Sequence, residues 1–140
     1  MDDELIGVCI LATRIACQRM TTPHLTALRA SVEQARCLPA TSAWDRKAAA
    51  HAEIVNLLAD AAADPVVALL VRNVPGELYD LMITVGPGTS GIIASSRRRL
   101  LELITAGNAE GAAREMEQHL RGLLWMRRLC LSSAQTGIAV

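Results

Sequence analysis

Phenylalanine is absent from this 140-residue chain, and its aromatic residues are limited to two tryptophans and one tyrosine. Recognition of single-stranded nucleic acid by base stacking needs aromatic platforms, so this mode of binding is not expected. Fourteen basic residues balance fourteen acidic ones, which leaves a formal net charge of zero. A strongly basic surface of the kind that binds DNA is therefore not expected either.

The four cysteines form neither a Cys-x-x-Cys pair nor the dense spacing of a secreted disulfide protein. We expect reduced cysteines that fill helix interfaces. Three acidic residues follow Met1, the opposite of the basic start of a signal peptide. No run of apolar residues approaches the roughly 18 that a membrane span needs. These absences predict a cytoplasmic protein with no membrane partner.

Sequence motifs of enzymes are missing as well. There is no Gly-rich phosphate loop, no nucleophile elbow and no His-Glu-x-x-His motif. We therefore expect that this protein is not an enzyme and that it has no catalytic residues. A small helical enzyme stays open as a third alternative to the two functions given below.

Capping residues, prolines and glycines divide the chain into helical segments joined by short loops. Six helices are predicted, over residues 2–20, 22–37, 41–63, 64–85, 89–107 and 108–130. Thr22, Thr41 or Ser42, Asp64 and Asn108 are the expected caps of four of them. Pro75 is expected to kink or split the fourth helix. The fifth helix has an alternative start at Ser95 or Ser96.

No strand alternation competes with these helices. The prediction is an all-α fold, an antiparallel bundle of about six helices. A chain of this length fits one domain. We expect residues 1–130 to form that domain and residues 131–140 to be a flexible tail.

Three predicted helices each carry one polar side chain on an otherwise apolar face. His119 lies inside the stripe formed by residues 112, 113, 116, 120, 123 and 124. His51 shares its predicted face with Val55, and Arg97 shares its face with Leu100. Three nitrogen-bearing side chains directed toward one interior indicate a polar ligand pocket within a helical bundle.

Arg97 decides what this pocket would bind. Arginine stays charged at ordinary pH, so a buried Arg97 requires an anion or a group of acceptors. The anion could be internal, from Glu53 or Glu102, or it could belong to a bound carboxylate or phosphate. In the alternative interpretation Arg97 reaches solvent, as part of the run of three arginines at residues 97–99.

A divalent metal is disfavoured at this place. His51 and His119 are the two candidate imidazole ligands, and no obvious inward carboxylate accompanies them. The charge of Arg97 would also repel a cation. The pattern therefore predicts an anion site without a cofactor.

The segment LLELITAGNAEGAAREMEQHL, residues 100–120, resembles the C-terminal signature of the FCD effector domain. This domain occurs in the FadR subfamily of GntR transcription regulators. Residues 52–70, AEIVNLLADAAADPVVALL, resemble that family's Asp-x-x-x-His helix followed by Asn-Pro, and residues 18–35 resemble the entry to the domain. The resemblance spans roughly residues 5–128 and implies an antiparallel six-helix bundle around a small-molecule cavity.

The family's pocket often holds a divalent metal through an aspartate and several histidines, with carboxylate effectors bound over it. The correspondence of residues retains the final histidine as His119, places Arg97 at another histidine, and places His51 and Val55 at the Asp-x-x-x-His pair. At most one standard ligand is thus kept. Our hypothesis is that Arg97 holds an effector carboxylate directly, in place of a metal.

Members of the family also carry an N-terminal winged helix-turn-helix that binds DNA, and this sequence has no such motif. Contact with DNA is expected only through a separate domain, whether the chain is a fragment or a stand-alone descendant. The resemblance implies a ligand-sensing and dimerisation domain of a transcription regulator. It would act as a homodimer and bind a small carboxylate or acyl effector through His51, Val55, Arg97 and His119.

The alternative function is a stand-alone interaction module with a degenerate pocket. In that case the pocket would be filled by Val55, Met82 and Met116. The module would dimerise with itself or with a full-length regulator.

Overall fold

A computed structural model describes residues 2–136 of the chain. Within that range the protein has eight α-helices, one 3-10 turn and no strand. The helices are α1 (Asp2–Arg19), α2 (Thr22–Arg36), α3 (Trp44–Ala52), α4 (Ile54–Ala62), α5 (Pro65–Leu70), α6 (Val74–Val85), α7 (Ser90–Thr105) and α8 (Ala109–Thr136). The 3-10 turn, Pro87–Thr89, precedes α7. The predicted all-α fold is confirmed.

The number of helices exceeds the predicted six because two predicted helices are each divided. The third is interrupted at Glu53, which gives α3 and α4. The fourth is divided between Leu70 and Val74, which gives α5 and α6. Pro75 lies in the first turn of α6, where the hydrogen-bond donor that proline lacks is not needed. The expected split is confirmed.

Two of the expected caps are confirmed. The carboxylate of Asp64 accepts a hydrogen bond of 2.8 Å from the backbone N–H of Val66 at the start of α5. The side chain of Asn108 accepts one of 2.9 Å from the backbone N–H of Gly111 at the start of α8. These bonds satisfy N–H groups that have no partner within the helix itself.

Other predicted boundaries are wrong by a few residues. Thr21, rather than Thr22, is the N-cap of α2. The N-cap of α3 is Ala43, which makes no side-chain bond, rather than Thr41 or Ser42. Capping chemistry marks the neighbourhood of a helix start, but two adjacent hydroxyl residues compete for the same role.

The start of α7 agrees with the predicted helix over residues 89–107, whereas the end of α8 differs from the prediction. α7 begins at Ser90, so the alternative start at Ser95 or Ser96 is wrong. α8 continues to Thr136 instead of ending near Cys130. The rest of the predicted flexible tail, residues 137–140, lies outside the described residues.

Ion pairs show that α1 and α8 run antiparallel. Arg127 near the end of α8 binds Asp2 at the start of α1 across 2.7 Å. Arg14 near the end of α1 binds Glu110 at the start of α8 across 2.8 Å. α1 also packs against α4, and α7 packs against both α2 and α8. No helix in the described part of the chain combines the length and apolar character needed to cross a membrane.

A hydrophobic core fills the space between these helices. The predicted stripe of α8 is buried in full, and His119 lies within it. Burying each large apolar side chain contributes about 1.5–3 kcal/mol before the entropy of ordering is subtracted. The largest fully buried side chains include Leu28, Leu58, Leu78, Leu81, Met82, Ile93, Leu100, Met116, Leu120, Leu123 and Leu124.

Candidate functional site

α7 directs Arg97 into the interior of the protein. Ile93 and Leu100, one turn away on either side, belong to the same buried stripe. Only 3% of Arg97 is exposed, whereas Arg98 and Arg99 lie at the surface. The interpretation in which Arg97 reaches solvent is therefore wrong. Burial follows because the helical period places residue 97, but not its two neighbours, on the core side of α7.

The buried guanidinium of Arg97 has few partners. Its Nη2 donates a hydrogen bond of 3.4 Å to the backbone oxygen of His51. Its Nε and Nη1 have no hydrogen-bond partner within the described residues. Glu53 and Glu102, the two internal carboxylates considered above, are exposed instead. An unsatisfied buried donor lowers the stability of the folded protein by about 1–3 kcal/mol. The guanidinium of Arg97 therefore lacks acceptors that a ligand could supply.

Both predicted histidines are buried near Arg97, each with 6% of its surface exposed. Burial first, and then the charge of Arg97, lowers the pKa of His51 to about 4 and that of His119 to about 3. Both rings are therefore neutral at neutral pH. The Nε2 atom of His119 has no hydrogen-bond partner among the described residues. The site thus combines one cation with two uncharged imidazoles.

Arg97 keeps its charge at neutral pH, because burial lowers its pKa only to about 10. Cys9 on α1 does not neutralise it, since burial raises the pKa of this thiol to about 12, even though the charge of Arg97 acts in the opposite direction. The negative charge of Glu115 on α8 favours the charged form of Arg97. Its carboxylate is occupied, however, by Ser96 and Arg99, which donate hydrogen bonds of 2.8 Å and 2.9 Å.

A cleft of about 310 Å³ leads from the surface to the guanidinium of Arg97. Its walls come from α2 and α7, with His51 of α3 between them. The residues that line it are Val32, Glu33, Arg36, His51, Ala94, Ser95, Arg97 and Arg98. The volume corresponds to the lower end of the range for small-molecule pockets.

The cleft includes only two of the four predicted site residues, His51 and Arg97. His119 lies in the buried stripe of α8, where burial first, and then the charges of Arg97 and His51, contribute to lowering its pKa. Val55 belongs to the hydrophobic core. The structure therefore brings three polar residues together and places the apolar one in the surrounding core.

Sequence reasoning missed the part of the cleft that α2 supplies. Glu33 and Arg36 form an ordinary i,i+3 pair on an exposed helix face, which carries no signal of a ligand site. Ser95 and Arg98 could have been identified from the sequence, since they lie within two residues of Arg97. The run of arginines was the one signal that could have drawn attention to Arg98.

The donor groups at this site do not fit a divalent metal. Within residues 2–136, no three His, Cys, Asp or Glu side chains are grouped so that they could hold an ion. Two imidazoles beside a charged guanidinium present too few ligands and the wrong charge for a cation. The same arrangement suits an anion, which would supply the acceptors that Arg97 lacks.

The family model of the FCD domain matches residues 10–122 of the chain. No curated protein and no solved structure matches the chain. FCD domains are the effector-binding regulatory domains of GntR-family proteins. The match covers well over half of the chain, and it includes the buried Arg97 and His119. The resemblance drawn from residues 100–120 is confirmed, and this chain belongs to the FCD domain family.

Proposed function

We propose that this chain is the ligand-sensing domain of a transcription regulator and that it binds a small organic anion at Arg97. The observation that carries the proposal is the guanidinium of Arg97, which is buried beside a cleft and has two nitrogens without a partner among residues 2–136. A carboxylate suits this site best, because its two oxygens can accept two parallel hydrogen bonds from the planar guanidinium.

The two histidines favour anion binding in different ways. His51 holds Arg97 in place through its backbone oxygen, and its neutral ring adds no competing charge. His119 offers Nε2, a buried atom with no partner in the described part of the chain, for one further hydrogen bond to the ligand. Val55 contributes apolar packing in the core rather than a polar contact. Metal is not needed in this scheme, because Arg97 supplies the positive charge.

Ligand entry requires movement in the wall of the cleft, since Nε and Nη1 of Arg97 are covered. Among the three helices that line the cleft, α2 has the fewest buried residues. Of its residues, only Leu28 and Ala35 are buried. We expect α2 to shift when the anion enters. Such a shift would give the regulator a conformational signal of ligand binding.

Calorimetric titration and thermal unfolding of metal-free protein test the proposal. The ligands are short-chain carboxylates, acyl-CoA thioesters and divalent metal ions, each titrated separately. We expect a carboxylate to raise the melting temperature by mass action, and an Arg97→Gln variant to lose that effect while keeping its helical circular dichroism. The matched control is Arg128→Gln, which removes an exposed arginine of α8.

Two outcomes would contradict the proposal. One is carboxylate affinity that survives Arg97→Gln, because the buried guanidinium would then play no part. The other is stabilisation by metal ions alone.

An interaction module is the second candidate, and one feature of α8 favours it. Trp125 and Leu129, one turn apart, are 59% and 48% exposed. Exposed aromatic and apolar residues on one face are enriched at protein interfaces. We expect light scattering to detect a homodimer that Trp125→Ser weakens and that Leu69→Ser on α5 leaves intact. A wild-type protein that stays monomeric at high micromolar concentration would exclude self-dimerisation and leave only pairing with a full-length regulator.

A further inference from the structure

We infer that the anion bound at this site is a short dicarboxylate, whose first carboxylate binds Arg97 and whose second binds Arg98 at the mouth of the cleft. The inference rests on the proposed function of Arg97. It adds the chemical class of the ligand and a residue that determines specificity.

The charges that line the cleft support two anionic groups rather than one. Three arginines and one glutamate line it, at positions 36, 97, 98 and 33. Arg36 is already neutralised, since its guanidinium donates hydrogen bonds of 2.9 Å and 2.5 Å to Glu33. Arg97 and Arg98 are left as two cationic groups, in a chain whose formal net charge is zero.

The three consecutive arginines of α7 differ in what balances their charge. Arg99 is paired with Glu115 across 2.9 Å. Arg97 has only the backbone oxygen of His51, and Arg98 makes no ion pair within the described residues. Of these three arginines, the two without a carboxylate partner among the described residues are also the two that line the cleft. This coincidence of position and missing counter-charge points to a ligand that supplies both carboxylates.

The geometry of the cleft separates a dicarboxylate from other anions. Arg97 lies at its buried end and Arg98 at its exposed end, so the two negative charges of the ligand must be separated along its length. A phosphate monoester concentrates its charges on one group and would satisfy only one end. A monocarboxylate would leave Arg98 without a partner. A cavity of about 310 Å³ accommodates a diacid of only a few carbons.

Arg98 is expected to contribute less than Arg97. An exposed ion pair gains little in water and is screened by salt, so the second carboxylate should improve affinity by roughly 2- to 5-fold at low ionic strength. The first carboxylate binds in a region shielded from water, where its contribution is larger.

Calorimetric titration with matched acids tests this inference. Succinate, glutarate and adipate are compared with butyrate at low salt, and then at roughly 0.5 M salt, where screening should reduce the difference. In the wild-type protein one of the diacids should bind roughly 2- to 5-fold more tightly than butyrate. In Arg98→Gln this preference should fall to about 1-fold, because diacid affinity falls more than butyrate affinity. The control Arg128→Gln should keep the wild-type preference.

The outcomes distinguish this inference from the proposed function. If Arg97→Gln abolishes binding but Arg98→Gln leaves the preference for diacids unchanged, the dicarboxylate assignment is wrong and the anion site at Arg97 stands. A phosphate monoester that binds more tightly than every diacid, and still needs Arg97, overturns the assignment in the same way. If no carboxylate binds, or binding survives Arg97→Gln, both are wrong.

Discussion

The Nη2 group of Arg97 on α7 donates a hydrogen bond of 3.4 Å to the backbone oxygen of His51 on α3. This bond is longer than the usual 2.7–3.2 Å range, so it satisfies the guanidinium weakly. Buried charges in proteins are normally paired, and an unpaired one lowers stability. A residue that costs stability in this way is typical of a binding site, where the ligand completes the set of partners.

Replacing Arg97 with an apolar side chain of similar length should stabilise the ligand-free protein. Arg97→Met removes a buried charge with two nitrogens that lack partners, and we expect the free energy of unfolding to rise by about 1–3 kcal/mol. Urea unfolding followed by circular dichroism measures the change. Arg98→Met, at the exposed mouth of the cleft, should change stability by less than about 0.5 kcal/mol. A large loss in Arg97→Met would mean that its bond to His51 holds α7 and α3 together.

Stability should fall as the pH decreases from about 6.5 toward 4. Burial lowers the pKa of His51 to about 4 and that of His119 to about 3. In the unfolded chain a histidine has a pKa near 6.5, so the unfolded state binds more protons throughout this window. The neutral, buried form is thus fully favourable only above the unfolded pKa. By pH 5 the loss is on the order of 2 kcal/mol for each histidine.

Chemical unfolding at pH 7, 6 and 5 measures this dependence. His119→Gln should flatten the decline by about half. The double variant His51→Gln/His119→Gln should remove most of it. A wild-type stability that is constant between pH 7 and pH 5 would show that the two rings are accessible to protons in the folded state.

Glu115 connects α8 to α7 through two hydrogen-bond donors. Its carboxylate accepts a bond of 2.8 Å from the hydroxyl of Ser96 and one of 2.9 Å from Nε of Arg99. Since only 12% of the Glu115 side chain is exposed, Glu115→Ala should lower the free energy of unfolding by about 1–3 kcal/mol. Most of this loss comes from the buried bond to Ser96, because Arg99 is half exposed and its ion pair is screened.

Glu117 provides the matched control on the same helix. It pairs with Arg121 across 3.0 Å, and both side chains are well exposed. Glu117→Ala should cost less than about 0.5 kcal/mol. Equal losses in the two variants would mean that Glu115 acts only as a surface ion pair.

Two helix ends adopt the left-handed backbone conformation, and substitutions there should have opposite effects. Ala63 ends α4 with a φ of 50°, and Gly107 follows α7 with a φ of 72°. An L side chain is strained in this region and glycine is not. Ala63→Gly should therefore raise the free energy of unfolding, and Gly107→Ala should lower it, each by about 1 kcal/mol. Thermal unfolding measures both shifts.

A substitution at Gly7 separates the effect of backbone strain from that of helix propensity. Gly7 lies within α1 at a negative φ, and nothing lies within 4 Å of where a Cβ would be placed. Gly7→Ala should stabilise the protein by about 0.5–1 kcal/mol. Destabilisation by Gly7→Ala together with stabilisation by Gly107→Ala would contradict this account.

Local patterns in the sequence determined the helices and their buried faces. The stripe around His119 was predicted correctly because a period of 3.6 residues is a property of one helix alone. The caps at Asp64 and Asn108 were predictable for the same reason, since each bond spans only two or three residues. The family followed from the motif in residues 100–120.

Tertiary structure decided the character of the site. Whether Arg97 is buried depends on which helices cover α7, and its one acceptor, the backbone oxygen of His51, lies 46 residues away in sequence. The cleft depends on α2, whose Glu33–Arg36 pair looks like any exposed pair in the sequence. Periodicity tells which face of a helix is apolar. Only the packing of separate helices decides which polar groups meet there and which of them are left without a partner.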